Sequence, residues 1–128
     1  MKVLTPVEAY DFLQKDPQAV LLDVRSEIEY MFVGHPVGAV HIPWIDGPDW
    51  ELNPHFVAQV RKVAHAERPV VLICRSGVRS LEAGKALEAE GWSAVFNVVH
   101  GFEGDLDEAH HRNAVNGWRH AGLPWAQT

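Results

Sequence analysis

The chain has 128 residues, with 11 Lys and Arg against 17 Asp and Glu, a formal charge of -6, 47% hydrophobic and 22% charged residues. That is one domain's length at ordinary globular composition, enough to bury a core without disulfide staples. The balance excludes a disordered chain and disfavours partners held by neutralising phosphates, either nucleic acid or an anionic membrane surface. A single cysteine, Cys74, excludes an intramolecular disulfide and a multi-cysteine zinc site. No apolar run reaches the length of a membrane span. Residues 1–6 lack the apolar stretch of a secretory signal, so the cytoplasm is the default location.

Thr5-Pro6-Val7-Glu8 predicts a helix start, with Thr5 as cap, Pro6 in the first turn and Glu8 reaching back. The helix should run to about Lys15, with Val7, Tyr10 and either Phe12 or Leu13 facing inward, and end at Asp16-Pro17. Val20 to Val24 is a short apolar run of strand length. Ser26 caps a short helix from Glu27 to about Phe32; a loop from Gly34 to Gly38 leads to a second buried strand, Ala39 to Ile42, stopped by Pro43. Trp44 to Asn53 reads as a polar and aromatic loop. Asn53-Pro54 repeats the cap-then-proline signal before a helix from His55 to His65, with Phe56, Val57, Val60, Val63 and Ala64 at helical spacing.

Pro69 to Cys74 is the strongest strand, and its near-continuous apolar character predicts burial on both faces of a parallel sheet. A loop from Arg75 to Ser80 follows, then a helix from Ser80 to Glu90 closed by Gly91. Ala94 to Val99 is the last strand. A Gly101/Gly104 turn, an acidic and histidine-rich segment and a final helix around Ala114 to Ala121 complete the chain. Alternating strands and helices predict a single α/β domain over residues 1–128 with a mainly parallel sheet. Ligands of such sheets bind outside the carboxyl ends of the strands, and Cys74 sits at one of those ends.

Three features converge on the segment Cys74-Arg75-Ser76-Gly77-Val78-Arg79-Ser80. A loop curling into a helix start presents unpaired N–H groups and a partial positive charge, and Gly77 permits the backbone angles that such a curl needs. Arg75 and Arg79 place two permanent cations near the sulfur. Ser76 and Ser80 add hydroxyl donors. All three favour a thiolate over a thiol, and the same groups can hold an anionic substrate beside a nucleophile. The alternative is a structural cysteine that ends a core strand, beside a solvated helix arginine.

The sequence resembles the rhodanese-like superfamily, particularly its single-domain sulfurtransferases. The resemblance is carried by Leu21-Leu22-Asp23-Val24-Arg25-Ser26 with Glu29-Tyr30, by Gly38-Ala39-Val40-His41-Ile42-Pro43, by Val71 through Ser80, and by Gly117-Trp118-Arg119-His120-Ala121-Gly122-Leu123-Pro124. It implies a five-stranded, mainly parallel sheet with helices on both faces. It implies that Cys74 takes a sulfane sulfur, as from thiosulfate, and becomes a persulfide cradled by the amides of residues 75 to 79. Arg75 and Arg79 would orient the donor's anionic end, and the outer sulfur would pass to a thiol, a protein cysteine or cyanide, without a cofactor or metal. Asp23 and Arg25 would brace the loops at the sheet edge.

Related cell-cycle phosphatases and arsenate reductases resemble this loop with one residue more between cysteine and arginine. The shorter Cys-x4-Arg ring here fits a single added sulfur rather than a tetrahedral oxyanion. A protein persulfide carrier is the alternative of a different class, with residues 44–53 and the acidic segment as docking surfaces; a non-catalytic sensing domain is a third. In the segment from His100 to His111, His100, Glu103, Asp105, Asp107, His110 and His111 match no closed metal-site spacing and read as a solvated connection. His41 and His65 read as structural, and His35 falls in a loop near the site.

Overall fold

A computed structural model describes residues 1–128. The chain opens with β1 (Lys2–Leu4) and α1 (Pro6–Lys15), whose capping box forms as the sequence predicts: Glu8 N–H donates to Thr5 Oγ1 at 3.2 Å and Thr5 N–H to Glu8 Oε1 at 2.9 Å. Then come β2 (Val20–Asp23), a helical segment whose last part is a π-turn over Glu29–Val33, β3 (His35–Pro36) and β4 (Val40–His41). A small hairpin of β5 (Ile45–Asp46) and β6 (Glu51–Leu52) precedes α2 (Phe56–Val63). β7 (Val70–Ile73), α3 (Val78–Ala89), β8 (Val95–Val98) and a late β9 (Trp125–Ala126) complete the order.

Five strands form one sheet in the order β1-β8-β7-β2-β4, and every neighbouring pair is parallel. Alternate residues of each strand serve opposite faces. Leu22, Val70 and Leu72 pack with Phe56 and Val60 of α2 and Ala83 and Leu87 of α3. Leu21, Val71 and Ile73 pack with Ala9 of α1 and with Phe102 and Trp118 from the C-terminal segment. β7, the central strand, is buried along its whole length, as its unbroken apolar run requires. No helix is long and apolar enough to cross a membrane.

The structure departs from the sequence expectations at several places. β1 was too short to register as a period. In α1 the inward residues are Pro6 and Ala9, with Tyr10, Phe12 and Leu13 all against the second core, while Val7 is 53% exposed. Asn53 accepts from His55 N–H as a local turn rather than capping the helix. The helix after the Cys74 loop begins at Val78, two residues before the expected start.

The expected helix over residues 114–121 does not form; the segment is bends and turns. Its backbone is committed elsewhere: Asn113 N–H donates to the Glu103 carbonyl at 2.7 Å, Trp118 N–H to Gly101 and Arg119 N–H to Phe102. Asn113 and Gly117 take positive φ angles of 63° and 108°, incompatible with a helix. The chain then returns to pair β9 antiparallel with β3, inside the stretch expected to be loop.

At the carboxyl end of β2, Asp23 and Arg25 form a wholly buried ion pair. Arg25 Nε donates to Asp23 Oδ1 at 2.9 Å and Nη2 to Oδ2 at 2.6 Å; Nη2 also reaches the Gly34 carbonyl at 2.6 Å. The guanidinium lies 4.5 Å from the centre of the Phe102 ring. The pair therefore joins β2, the turn before β3 and the segment after β8. Removing one partner leaves an uncompensated buried charge. Asp23→Ala is expected to cost about 3 kcal/mol of folding free energy, read as a lowered urea midpoint at constant slope.

Candidate active site

Cys74 follows β7 and is 1% exposed. Its sulfur accepts Gly77 N–H at 3.0 Å and lies 3.1 Å from Ser80 Oγ. Gly77 makes this turn possible with φ 110° and ψ -5°, a left-handed conformation that costs a side-chain-bearing residue strain. The amides of Arg75, Ser76, Val78 and Arg79 have no protein acceptor. They belong to a turn feeding a helix N-terminus, where N–H groups are unpaired by construction. Ser76 makes no side-chain hydrogen bond and Val78 is 65% exposed, so both contribute through their backbone.

Ser80 is held by a residue the sequence reading missed. Its hydroxyl donates to Asn97 Oδ1 at 2.5 Å, and Asn97 Nδ2 donates to the Gly77 carbonyl at 3.1 Å. Asn97 on β8 thus bridges the hydroxyl beside the Cys74 sulfur and the turn that feeds it N–H. Both partners are more than fifteen residues away in the chain, so no local motif marks it.

The loop is strapped from outside by residues 101–104. Phe102 N–H donates to the Cys74 carbonyl at 2.8 Å, and Glu103 and Gly104 N–H to the Arg75 carbonyl at 3.1 and 3.3 Å. Gly101, at φ 62°, must be glycine: a Cβ there would stand 2.5 Å from the Cys74 carbonyl oxygen.

The two loop arginines differ. Arg75 is exposed and makes no ion pair. Arg79 grips Glu29 in a two-pronged pair, Nη1 to Oε1 at 2.6 Å and Nη2 to Oε2 at 2.9 Å, and stands 5.4 Å from the centre of the Trp50 ring. Burial alone would raise the Glu29 carboxyl, but Arg79 and hydrogen bonds from Ser26 hold it at about 2. Burial would likewise loosen the Arg79 proton, yet Glu29 and, less strongly, Cys74 and Asp23 hold it more firmly than usual. Both partners are therefore charged at neutral pH.

A cleft of about 450 Å³ lies over this loop, lined by Arg75, Arg79 and Arg112, by Glu29 and Glu103, and by Ser26, Ile28, Val33 and Trp50. The expected loop of residues 44–53 divides its aromatic residues between two tasks. Trp44 packs edge-on against Phe56 with ring centres 5.1 Å apart, while Trp50 lines the cleft. Asp23 and Arg25 lie beneath the site and not in the cleft.

The histidines do not gather. His35 and His41 stack on opposite sides of the Tyr30 neighbourhood at 4.0 and 4.4 Å, and His41 Nε2 reaches the Arg25 carbonyl. His65 Nδ1 accepts Glu67 N–H. His100 pairs with Asp105 at 3.2 Å, and Asp107 accepts the N–H groups of Ala109 and His111, so no three of these side chains share a centre.

The sequence matches the rhodanese-like domain family over residues 5–108. The chain belongs to that family. The thiosulfate sulfurtransferase GlpE of Haemophilus influenzae is 29% identical over 103 residues, covering 80% of this chain and 86% of the relative. An uncharacterized Rickettsia conorii protein is 32% identical over 92% of this chain and 91% of its own length. The crystal structure of an M. tuberculosis protein superposes with a TM-score of 0.89 at 39% identity, covering 100% of this chain and 98% of that one. The solution structure of a polysulfide-sulfur transferase homodimer from Wolinella succinogenes gives a TM-score of 0.68 at 25% identity, covering 100% and 80%. This rhodanese-like domain thus has sulfurtransferases among its relatives.

Two outcomes test the network around the sulfur. Asn97→Ala removes the acceptor of the Ser80 hydroxyl and the side-chain donor to the Gly77 carbonyl, and is expected to cost about 1–3 kcal/mol in thermal or urea unfolding. Glu29 stabilises the fold above its unfolded value near 4.5, and that contribution fades as pH falls towards about 2. The stability gap between the wild-type protein and Glu29→Gln, read from urea midpoints, should therefore be widest at neutral pH and narrow across that acid window.

Proposed function

We propose that this protein moves a sulfane sulfur from thiosulfate to a thiophilic acceptor through a persulfide on Cys74. The observation that carries this reading is the Cys74 sulfur at the carboxyl end of β7, accepting Gly77 N–H at 3.0 Å beside four amides that have no protein acceptor. Amides converging near a sulfur suit a persulfide anion, whose terminal atom needs several weak donors. The thiosulfate sulfurtransferase relatives support the donor, and the arginines of the cleft suit its charge.

In the first half-reaction the Cys74 thiolate attacks the outer sulfur of thiosulfate. A new S–S bond forms at Cys74, the S–S bond of thiosulfate breaks, and sulfite leaves with the electron pair. In the second, an acceptor nucleophile attacks the terminal sulfur of the persulfide and the Cys74 thiolate leaves. With cyanide the product is thiocyanate. The reaction asks the protein for a positioned nucleophile and anion stabilisation, and no cofactor enters it. Ser80 Oγ lies within 3.1 Å of the sulfur with its one proton committed to Asn97, so in this arrangement it accepts from the Cys74 thiol, and Gly77 N–H is the donor left for the thiolate.

A carrier reading, in which a partner protein supplies or takes the sulfur, draws support from the cleft rim. Ile28 and Trp50 line the cleft and remain 66% and 55% exposed, as a surface for a protein acceptor would. Replacing Trp50 by alanine distinguishes the two, since a carrier loses transfer to its protein partner while loading from thiosulfate continues.

Incubation with thiosulfate, followed by removal of excess reagent, is expected to add about 32 Da to the intact mass, one sulfur, in a form removed by cyanide. Cys74→Ser should gain nothing. A folded wild-type protein with a titratable thiol and no gain would overturn the thiosulfate assignment.

A further inference from the structure

We infer that the anionic end of the sulfur donor is held by Arg75 and Arg112, with the neighbouring Glu103 carboxylate weakening that hold, and that Arg79 is a positioning residue rather than a donor-binding one. This rests on the sulfurtransferase reading above and assigns its substrate subsite. The loop itself offers Arg75 and Arg79, and counting cations along the sequence makes them equivalent. Their partners do not. Both terminal nitrogens of Arg79 are engaged by Glu29, so its charge is matched inside the cleft before any substrate arrives. A fixed carboxylate at 2.6 Å also stands where a second anion would have to bind.

The cleft holds one more cation, Arg112, directly after the segment whose composition reads as acidic and histidine-rich. Its Nη1 donates to the Gly104 carbonyl at 2.7 Å, while Nε and Nη2 have no protein acceptor. That single bond orients the guanidinium and leaves a fork of donors for an oxyanion. The placement is tied directly to the nucleophile's loop. Gly104 N–H donates to the Arg75 carbonyl, and Asn113, the next residue after Arg112, donates its N–H to Glu103. Gly104 is at φ 80° with Asn116 packed against it too closely for a Cβ, so the connection has one geometry.

Glu103 also lines the cleft, beside these cations through its N–H bond to the Arg75 carbonyl, and its carboxylate makes no hydrogen bond or ion pair. With Arg79 and Glu29 matched to each other, the cleft is left with two free cations and one free carboxylate. The ligand that suits this is a small compact anion with oxygens at one end, such as thiosulfate or its product sulfite. Glu103 weakens the hold, which favours release of sulfite after transfer.

The test measures the KM for thiosulfate in the cyanide assay and, independently of turnover, the Kd of sulfite by titration calorimetry. Arg112→Ala is expected to raise both about five- to tenfold, and Arg112→Lys about two- to threefold, since lysine keeps the charge without the fork. Glu103→Gln should lower both about two- to threefold. These differences should shrink as ionic strength rises. A tighter-binding variant is something a merely structural role for these residues would not produce.

Unchanged KM and Kd in Arg112→Ala and Glu103→Gln, or both variants weakening binding together, would overturn the subsite. If Arg112→Ala does not fold, the direction of the Glu103→Gln effect decides. A wild-type protein that takes no sulfur from thiosulfate but binds sulfite in an Arg112-dependent way would sink the thiosulfate reading and leave the subsite standing. One that binds neither would sink both.

Discussion

The carbonyls of Cys74 and Arg75 set the constraint from which the site follows. β7 is the central strand, buried on both faces, and its backbone leaves the sheet at Ile73. Buried carbonyls there need donors, because an unpaired one costs as much as a lost hydrogen bond. Residues 102 to 104 supply them with three consecutive N–H groups. Gly101 lets the strap come close enough, since any side chain would collide with the Cys74 carbonyl. The rest of the C-terminal segment inherits its course from this contact. Trp118 reaches the core because its N–H bonds Gly101, and Phe102 lies beneath the Arg25 guanidinium for the same reason. One set of backbone bonds thus fixes the Cys74 turn, seals the second core and delivers Arg112 to the cleft.

Electrostatics at the site depend on pairing more than on the number of charges. Arg25 and Arg79 are both buried or nearly so, and each is matched to a carboxylate, Asp23 and Glu29. These pairs brace the sheet edge and the π-turn at Glu29–Val33 against α3, the helix that follows the Cys74 loop. Matched charges in a low-dielectric setting hold geometry and present little net field to a ligand. Glu29 has a second tether, through the Ser26 hydroxyl at 2.9 Å, so the carboxylate is oriented from two sides. The guanidinium that it holds is in turn fixed beside the loop that carries Cys74.

What could be read from the sequence divides along the range of the interactions. The central strands were legible because a buried parallel strand must be apolar at successive positions, as Val70 through Ile73 are. The helix start at Thr5 was legible because its cap bonds close within four residues. Gly77 could be picked out because its backbone angles are a local demand of the turn. Asn97 and Glu29 were not singled out for the site, since each acts on a loop residue 17 to 50 positions away and neither type implies such a partner. The failed helix over residues 114–121 shows the reverse error. Its pattern was compatible with a helix, but the carbonyls of Gly101 and Phe102 take the Trp118 and Arg119 N–H groups that a helix would use. Tertiary hydrogen bonds overrode a weak local preference.

With a formal charge of -6, binding of the proposed anionic donor would need cations in the right place rather than in excess. The acidic residues between positions 103 and 108 surround the arm that carries Arg112, so long-range attraction of a dianion is poor. Screening at physiological salt, with a Debye length of about 8 Å, removes most of that long-range field in either direction. What remains is contact chemistry inside the cleft, where Trp50, Ile28 and Val33 thin out the solvent around the guanidinium groups. There a two-pronged hydrogen bond to an oxyanion counts for more than the sign of the whole surface. Net charge therefore bears on solubility and encounter for this chain, and the placement of single arginines by distant backbone bonds bears on what it binds.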